Sequence, residues 1–302
     1  MGIMTKHLCR PAALLAALLV VAGALVPAVA LADGMRLVTI GAPVTELAFA
    51  LGAGEAVVAR DTVSRYPAAA AARPDAGYMR TLSAEGLMSL APTHVLAVEG
   101  AGPSAAFDQL RAMGVVVETI PDAPGLPGLS ARIAAVARTL GRTAEGDRLA
   151  AAVERKFAAL AAAVDSARRA RTGTLGARVL CLVGGGPGGM MAAGRGTVPD
   201  ALITLAGARN AMDSEREFPP LSAESALAAE PDILLVGRSL VDRSGGIDGL
   251  VSLPQLAMTP AARDRRVVVI DGGLFVGLGP RSPEAVAALL AAQGVTVEGM
   301  TP

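Results

Sequence analysis

The chain has 302 residues, of which 52% are apolar and 18% are charged, a composition that excludes intrinsic disorder and suits one large or two modest domains. Its 27 basic and 27 acidic side chains balance, so there is no cationic excess for binding nucleic acid. Two histidines and two cysteines are too few for a cysteine-rich zinc site or a disulfide framework.

The first 32 residues have the pattern of an export signal. Lys6 and Arg10 precede an uninterrupted apolar run over residues 12–26, and the small residues Ala30 and Ala32 follow it. We predict cleavage after Ala32 and a periplasmic mature protein. The alternative is an uncleaved membrane anchor, which the short length of the run disfavours. No second long apolar run follows, so we expect no membrane-embedded part after cleavage.

The rest of the chain contains a weak internal repeat. The sequence Leu-Ser-Ala-Glu begins at Leu82 and again at Leu221, and a proline follows ten positions after each leucine. Each copy predicts a serine-capped helix, a proline-containing turn and a buried strand. Apolar runs at 36–40 and 178–183 precede the two copies, each followed by a predicted helix. Such strand–helix–strand units predict mainly parallel sheets flanked by helices, in two α/β lobes.

A helical stretch separates the two copies. Apolar residues recur at helical spacing from Leu129 to Leu140 and again from Leu149 to Val164. The second run predicts a single helix over residues 143–170, roughly 40 Å long at 1.5 Å per residue, which is long enough to bridge two lobes. The predicted organisation is therefore a signal peptide (1–32), an N-terminal α/β lobe (33–125), a helical linker (126–172) and a C-terminal α/β lobe (173–302).

The mature chain offers little catalytic chemistry. Its one histidine, His94, and its one cysteine, Cys181, fall in predicted buried strands, where we expect them to be inert. The glycine-rich segment 184–189 lacks the Gly-Lys-Ser/Thr ending of a phosphate-binding loop. An exported α/β enzyme is therefore the less favoured reading, because no usable base accompanies a nucleophile.

Tyrosine provides the exception. The only two, Tyr66 and Tyr78, fall in one predicted loop region, 61–81, at the end of the first unit where open α/β sheets bind ligands. A phenolate is an anionic oxygen ligand for ferric iron, and tyrosinate ligation of haem iron is known chemistry. Arg80, two residues after Tyr78, favours the phenolate form. The alternative is a tyrosine that packs against its own lobe.

Short motifs in a fixed order run through both halves of the mature chain. The first half contains Arg36-Leu-Val-Thr-Ile-Gly, Val44-Thr-Glu-Leu, Leu51-Gly-Ala-Gly, Asp61-Thr, Tyr66-Pro, Gly77-Tyr-Met-Arg and Leu82-Ser-Ala-Glu-Gly, and the second contains Ala193-Gly-Arg-Gly-Thr, Ala206-Gly, Leu221-Ser-Ala-Glu and Gly279-Pro-Arg. This order resembles that of the periplasmic haemin-binding proteins of bacterial haem ABC importers. The Tyr-x-Arg pair separates them from siderophore-binding and cobalamin-binding proteins of the same fold, which are the alternative.

The resemblance implies a fold and a function. Two α/β lobes would be joined by one long linker helix, with the ligand held in the cleft between them. The transported ligand would be haem b (haemin), delivered to an ABC permease dimer with its ATPase for iron acquisition. Tyr78 matches the family's axial ligand and Arg80 the arginine that assists it. Glu85 and Glu224 match the acids that meet arginines of the permease; the alternative for both is an acid that favours the helix dipole.

One departure from the family pattern concerns the second lobe. Some relatives place a histidine in the loop after its first strand, but here that loop, residues 184–195, contains Met190 and Met191. We expect these side chains to cover the porphyrin or, less favourably, to supply a thioether ligand, so one and two bound haems are both open. Arg195 and Arg281 are candidates to pair with haem propionates, with surface or capping roles as the alternative.

Overall fold

The computed structural model of the protein describes Met1 and residues 34–300, apart from residues 124, 171, 187–188 and 276. The predicted signal peptide and its cleavage after Ala32 lie outside the described residues. Within the described part of the chain, no helix has both the length and the apolar character needed to cross a bilayer.

The first sheet consists of four parallel strands in the order β2-β1-β3-β4. The strands are β1 (Leu37–Ile40), β2 (Val57–Arg60), β3 (His94–Val98) and β4 (Val116–Ile120). The helices of this part are α1 (Ala42–Ala50), α2 (Ala68–Ala71), α3 (Ala84–Met88) and α4 (Ser104–Ala112), with a 3₁₀ turn at Gly54–Ala56.

Two helices follow the first sheet, α5 (Gly125–Thr139) and α6 (Thr143–Ala170). The predicted linker helix is confirmed, because α6 covers the same residues as the prediction. It packs against α5 and buries Val153, Phe157 and Leu160 at helical spacing.

The second sheet has five strands, of which β6-β5-β8-β9 form one path while β7 also pairs with β5. The strands are β5 (Arg178–Gly186), β6 (Gly189–Ala192), β7 (Arg209–Asn210), β8 (Ile233–Gly237) and β9 (Val267–Ile270), and only β5 and β6 pair antiparallel. The helices are α7 (Val198–Leu205), α8 (Ala223–Ala228), α9 (Arg238–Arg243), α10 (Ile247–Val251), α11 (Pro260–Arg263) and α12 (Ser282–Ala292), with a 3₁₀ turn at Gly272–Phe275.

The predicted repeat is confirmed down to the backbone conformation. The Ser83 and Ser222 side chains each accept a hydrogen bond from the backbone N–H three residues on, at 3.0 Å, and so cap α3 and α8. The residue before the proline is left-handed in both copies, with φ of 48° at Ala91 and 42° at Glu230. Each copy then enters a central strand, β3 or β8. The predicted α/β fold of two lobes joined by a long helix is confirmed.

The two lobes share one apolar core, and a second, smaller core lies within the second lobe. Buried side chains of the first sheet, of α5 and α6, of the second sheet and of α12 belong to a single contact cluster, with Leu96, Ile133, Leu160, Cys181 and Leu289 among them. The expected burial of Cys181 is confirmed, and burial raises the pKa of its thiol.

Candidate functional site

A cleft lies between the two lobes at the carboxyl ends of the central strands. A cavity of about 500 Å³ is lined from both lobes, with Val98 at the end of β3 and Gly237 at the end of β8. A neighbouring cavity of about 740 Å³ shares Val63, Ser239, Arg243 and Gly272 with it, so the two form one continuous cleft. Both volumes are in the range of small-molecule sites.

Tyr78 and Arg80 line this cleft from the first lobe. The Tyr78 side chain is 47% exposed, whereas Met79 between them is buried and fixes the segment to its lobe. Gly77, directly before the tyrosine, has φ of 101°, a conformation that glycine adopts without a steric penalty. Residues 78–81 form a turn closed by a hydrogen bond from Thr81 N–H to the carbonyl of Tyr78 at 2.9 Å, and this turn brings both the phenol and the guanidinium to the cleft.

The second lobe contributes a group of apolar side chains to the same cavity. Phe218, Met191, Leu240 and Phe275 line it. Phe218 is 40% exposed, an unusual position for an aromatic ring in a chain with only five phenylalanines. Charged side chains, among them Arg80 and Arg243, line the same cavity. Apolar and aromatic surface beside basic groups suits a ligand that has a large apolar body and anionic substituents.

Sequence reasoning missed Phe218, although the repeat contains a signal for it. Tyr78 stands five residues before the cap Ser83, and Phe218 stands four residues before the cap Ser222. The residue before the ring is left-handed in both lobes, with φ of 58° at Glu217. Alignment of the two copies on their serine caps places the two aromatic residues one position apart, which is close enough to have marked Phe218 as a candidate.

The two methionines of the second lobe lie on opposite faces of a strand. The loop predicted over 184–195 is in part wrong, because β5 continues to Gly186 and turns back into β6. Alternate side chains of a strand point to opposite faces. Met191 therefore lines the cleft, whereas Met190 packs against the core of the second lobe and lies away from the cavity.

Arg281, a candidate to pair with a haem propionate, contacts Glu46, Asp271 and Tyr66 in the structure. Its guanidinium donates to both carboxylate oxygens of Glu46, at 2.5 and 3.1 Å, and to Asp271 at 3.2 Å. It also stacks 3.3 Å from the ring centroid of Tyr66. Burial raises the pKa of Glu46, and the hydrogen bond from Arg281 only partly offsets this. A buried ion pair thus joins α1 of the first lobe to the second lobe. Arg281 also lines the larger cavity, where the donors of its Nη1 are the ones not used by Glu46 and Asp271.

Other arginines are better placed towards the cleft than Arg195. Arg195 is exposed and lines neither cavity, and its backbone N–H donates to Glu215 at 2.8 Å. Arg243 lines both cavities, and Arg238 lines the larger one. Sequence reasoning missed these two because no motif marks α9.

Glu85 and Glu224 are exposed in the first turns of α3 and α8, one in each lobe. Neither lines the cleft. Among the described residues, neither carboxylate has a basic partner within 4.0 Å. Both are therefore accessible to a partner surface.

Two α/β lobes, a helix that connects them and a cleft at the strand ends define a two-lobed ligand-binding protein. The chain belongs to the periplasmic binding protein family, because the family model described as "Periplasmic binding protein" matches residues 37–273. The family consists of substrate-binding proteins and not of enzymes, and membership implies a periplasmic location.

Several solved structures are similar over most of the chain. The periplasmic heme-binding protein RhuT from Roseiflexus sp. RS-1 is 41% identical, with a TM-score of 0.76 over 86% of this chain and 99% of its own. The heme-binding protein BhuT, solved with two hemes, is 38% identical, with a TM-score of 0.76 over 85% and 97% of the two chains. A vitamin B12-binding protein from Pectobacterium carotovorum subsp. carotovorum (strain PC1) is 24% identical over 90% of this chain and 91% of its own.

Proposed function

We propose that this protein captures haem (haemin) in the periplasm and delivers it to an ABC permease for import. The observation that carries the proposal is a half-exposed tyrosine, Tyr78, followed by Arg80, on one wall of a cleft whose opposite wall includes Met191 and Phe218. Similarity to heme-binding proteins at 38 to 41% identity over most of both chains supports the same ligand.

Different residues of the cleft would contact the iron, the porphyrin and the propionates of haem. Tyr78 would supply a phenolate oxygen to ferric iron, and Arg80 lines the same cavity beside it. Met191 and Phe218 cover the porphyrin from the second lobe, where burial of apolar surface supplies affinity. Arg243 is a better candidate for a propionate than Arg281 or Arg195, because it faces both cavities.

Delivery requires a second surface. We propose that Glu85 and Glu224 dock onto the permease dimer, which works with its ATPase. Their exposure, one per lobe at equivalent helix starts, supports this role. Charge reversal of both to lysine is expected to leave haemin affinity unchanged and to reduce stimulation of the permease ATPase, because rim charges steer association. Normal stimulation by the double variant would contradict the docking role.

The proposal extends to processing and to domain limits. Cleavage after Ala32 would release the mature chain, and the lobes would divide at residues 125 and 172. Mass spectrometry of the N-terminus of protein exported to the periplasm tests the cleavage site.

Cobalamin is the second candidate ligand, since relatives named vitamin B12-binding proteins match at 24 to 25% identity. The two candidates are separated by absorption titrations of the mature protein with haemin and with cobalamin. We expect haemin to give a saturable Soret shift with a phenolate-to-iron charge-transfer band, and cobalamin to give no saturable change. The opposite result would make cobalamin the ligand.

The same titration with variants tests the ligand residue. Tyr78→Phe keeps the ring but removes the coordinating oxygen, so we expect loss of the charge-transfer band and weakened binding. Tyr66→Phe is the matched control, because it keeps the ring that stacks on Arg281. An unchanged ferric spectrum in Tyr78→Phe, or a changed one in Tyr66→Phe, would overturn the assignment.

A further inference from the structure

The loop that carries Tyr78 is attached to the end of β2 by backbone hydrogen bonds. Ala76 N–H donates to the carbonyl of Arg60 at 2.8 Å, and Thr62 N–H donates to the carbonyl of Gly77 at 3.0 Å. The loop therefore runs beside the chain that leaves β2, up to the residue before the tyrosine. Its position depends on what holds this short pairing together.

The Asp75 carboxylate makes the side-chain hydrogen bonds that hold the Tyr78 loop against the end of β2. Its Oδ1 accepts from Gly77 N–H at 2.9 Å and from the Thr62 hydroxyl at 3.0 Å. Its Oδ2 accepts from the Arg60 guanidinium at 2.7 Å. Burial by itself raises the pKa of Asp75, but the hydrogen bonds from Gly77, Arg60 and Thr62 outweigh burial and lower it overall. The carboxylate is therefore ionised at neutral pH and in mild acid.

The Arg60 guanidinium, which donates to Asp75, is also held in place by other contacts. The Arg60 side chain is only 10% exposed, and it donates to the carbonyls of Asp61 at 3.1 Å and Ala71 at 3.4 Å. An exposed pair on α4, Arg111 and Asp108, has side chains that are 44% and 71% exposed. Arg60 is thus buried at the end of β2 while its partner Asp75 is 42% exposed, whereas both members of the α4 pair are solvated and provide the control.

The conformation of Gly77 determines where Tyr78 points. Its left-handed backbone, with φ of 101°, has no side chain to restrict it, so the bonds on either side must define it. Asp75 holds its N–H and Thr62 holds its carbonyl oxygen. Loss of the carboxylate would free the turn directly before the tyrosine.

We propose that Asp75 is the positioning residue of the haem-ligating tyrosine: it fixes the turn at Gly77 and so holds Tyr78 in the cleft before haem arrives. This inference rests on the proposed function of Tyr78. A loop ordered in advance loses less entropy on binding. Groups that orient a metal ligand typically change affinity by about 10- to 100-fold when they are removed.

The test uses the mature protein, haemin and four variants. Asp75→Ala is expected to weaken haemin binding by about 10- to 100-fold and to reduce the phenolate-to-iron charge-transfer band. Asp75→Asn keeps an acceptor for Gly77 and Thr62, so it should bind haemin more tightly than Asp75→Ala. Thr62→Val removes one donor and should weaken binding in the same direction, by less. Asp108→Ala, which removes the solvated pair, should bind as the wild type does.

A double variant separates positioning from general damage. In the Tyr78→Phe background, Asp75→Ala should change haemin affinity no further, because no ligand oxygen is left to position. Equal weakening in both backgrounds, or wild-type affinity and spectrum in Asp75→Ala, would overturn the inference. If Asp75→Ala does not fold, Thr62→Val with wild-type affinity and spectrum would overturn it. A wild type that binds no haemin, or an unchanged spectrum in Tyr78→Phe, would instead overturn the proposed function.

Discussion

The two lobes are alike in their supporting parts and different in the residue that each presents to the cleft. Both have a serine-capped helix, a left-handed residue before a proline and a central parallel strand. Both place an aromatic residue a few positions before the capped helix, on the cleft wall. In the first lobe it is Tyr78 and in the second it is Phe218. One has an oxygen that can bind iron and the other has none.

This difference teaches that the repeated scaffold and the ligand chemistry are separable. The scaffold places two rings across one cavity, and a single oxygen atom then distinguishes the coordinating side from the covering side. The lobes differ again after their first strands. The first lobe continues from β1 directly into α1, whereas the second turns back from β5 into β6 and so brings Met191 to the cleft.

The largest expected effect on haemin binding comes from exchanging the two aromatic residues. Tyr78→Phe should weaken haemin binding by about 100-fold, or about 2.8 kcal/mol. Tyr78→Phe combined with Phe218→Tyr should restore part of the affinity and a charge-transfer band, because a phenol then faces the same cavity from the other lobe. Absorption titration of both proteins measures this. A double variant no better than Tyr78→Phe would show that the two positions are not equivalent.

The largest expected effect on stability concerns the ion pair between the lobes. Arg281→Ala leaves the buried Glu46 carboxylate without its main partner, so we expect the free energy of unfolding to fall by about 3 kcal/mol at pH 7.5. The pKa of Glu46, already raised by burial, would rise further in the folded variant. The destabilisation by Arg281→Ala is therefore complete above the pKa that Glu46 has in the folded variant. It becomes smaller as the pH falls towards the pKa of glutamate in the unfolded chain, near 4.3.

Denaturant unfolding at pH 7.5 and pH 5 measures this effect. Asp271 and Glu284 also face Glu46, and both carboxylates add to the cost of its charge. Arg281→Ala/Glu46→Gln is the matched control, because the amide carries no charge at either pH. A destabilisation by Arg281→Ala that is equal at the two pH values would contradict the prediction.

Much of the scaffold was predictable because local patterns determine it. The period of 3.6 gave the linker helix, and the repeated Leu-Ser-Ala-Glu gave both capped helices. The β5–β6 hairpin was not predictable, because glycines and two methionines have no strand pattern. The pairing of Arg281 with Glu46 was not predictable either, because 235 positions separate the two residues and only the fold brings them together.

A smaller effect compares the residues before the two rings. Gly77→Ala places a Cβ at φ of 101° and should cost about 1 kcal/mol or more in unfolding free energy. Glu217→Gly replaces a left-handed non-glycine residue at φ of 58° with the residue that adopts this conformation without strain. We therefore expect a smaller change in unfolding free energy than for Gly77→Ala. Thermal unfolding of both variants tests the comparison. If Glu217→Gly costs as much as Gly77→Ala, contacts of the glutamate rather than backbone conformation decide the outcome.

The smallest expected effect is in the relative motion of the lobes. The lobes share one apolar core that includes α5, α6 and α12, so opening them would expose buried surface at about 25 cal/mol per Å². A continuous helix also resists the backbone changes that a hinge absorbs. X-ray scattering of apo and haemin-loaded protein should therefore differ by less than about 2 Å in radius of gyration, against roughly 18 Å for a compact chain of this length. Arg281→Ala is expected to behave in the same way, because the core and not the ion pair holds the lobes. A larger change confined to that variant would assign the restraint to Arg281, and a larger change in the wild type would mean that the shared core separates on binding.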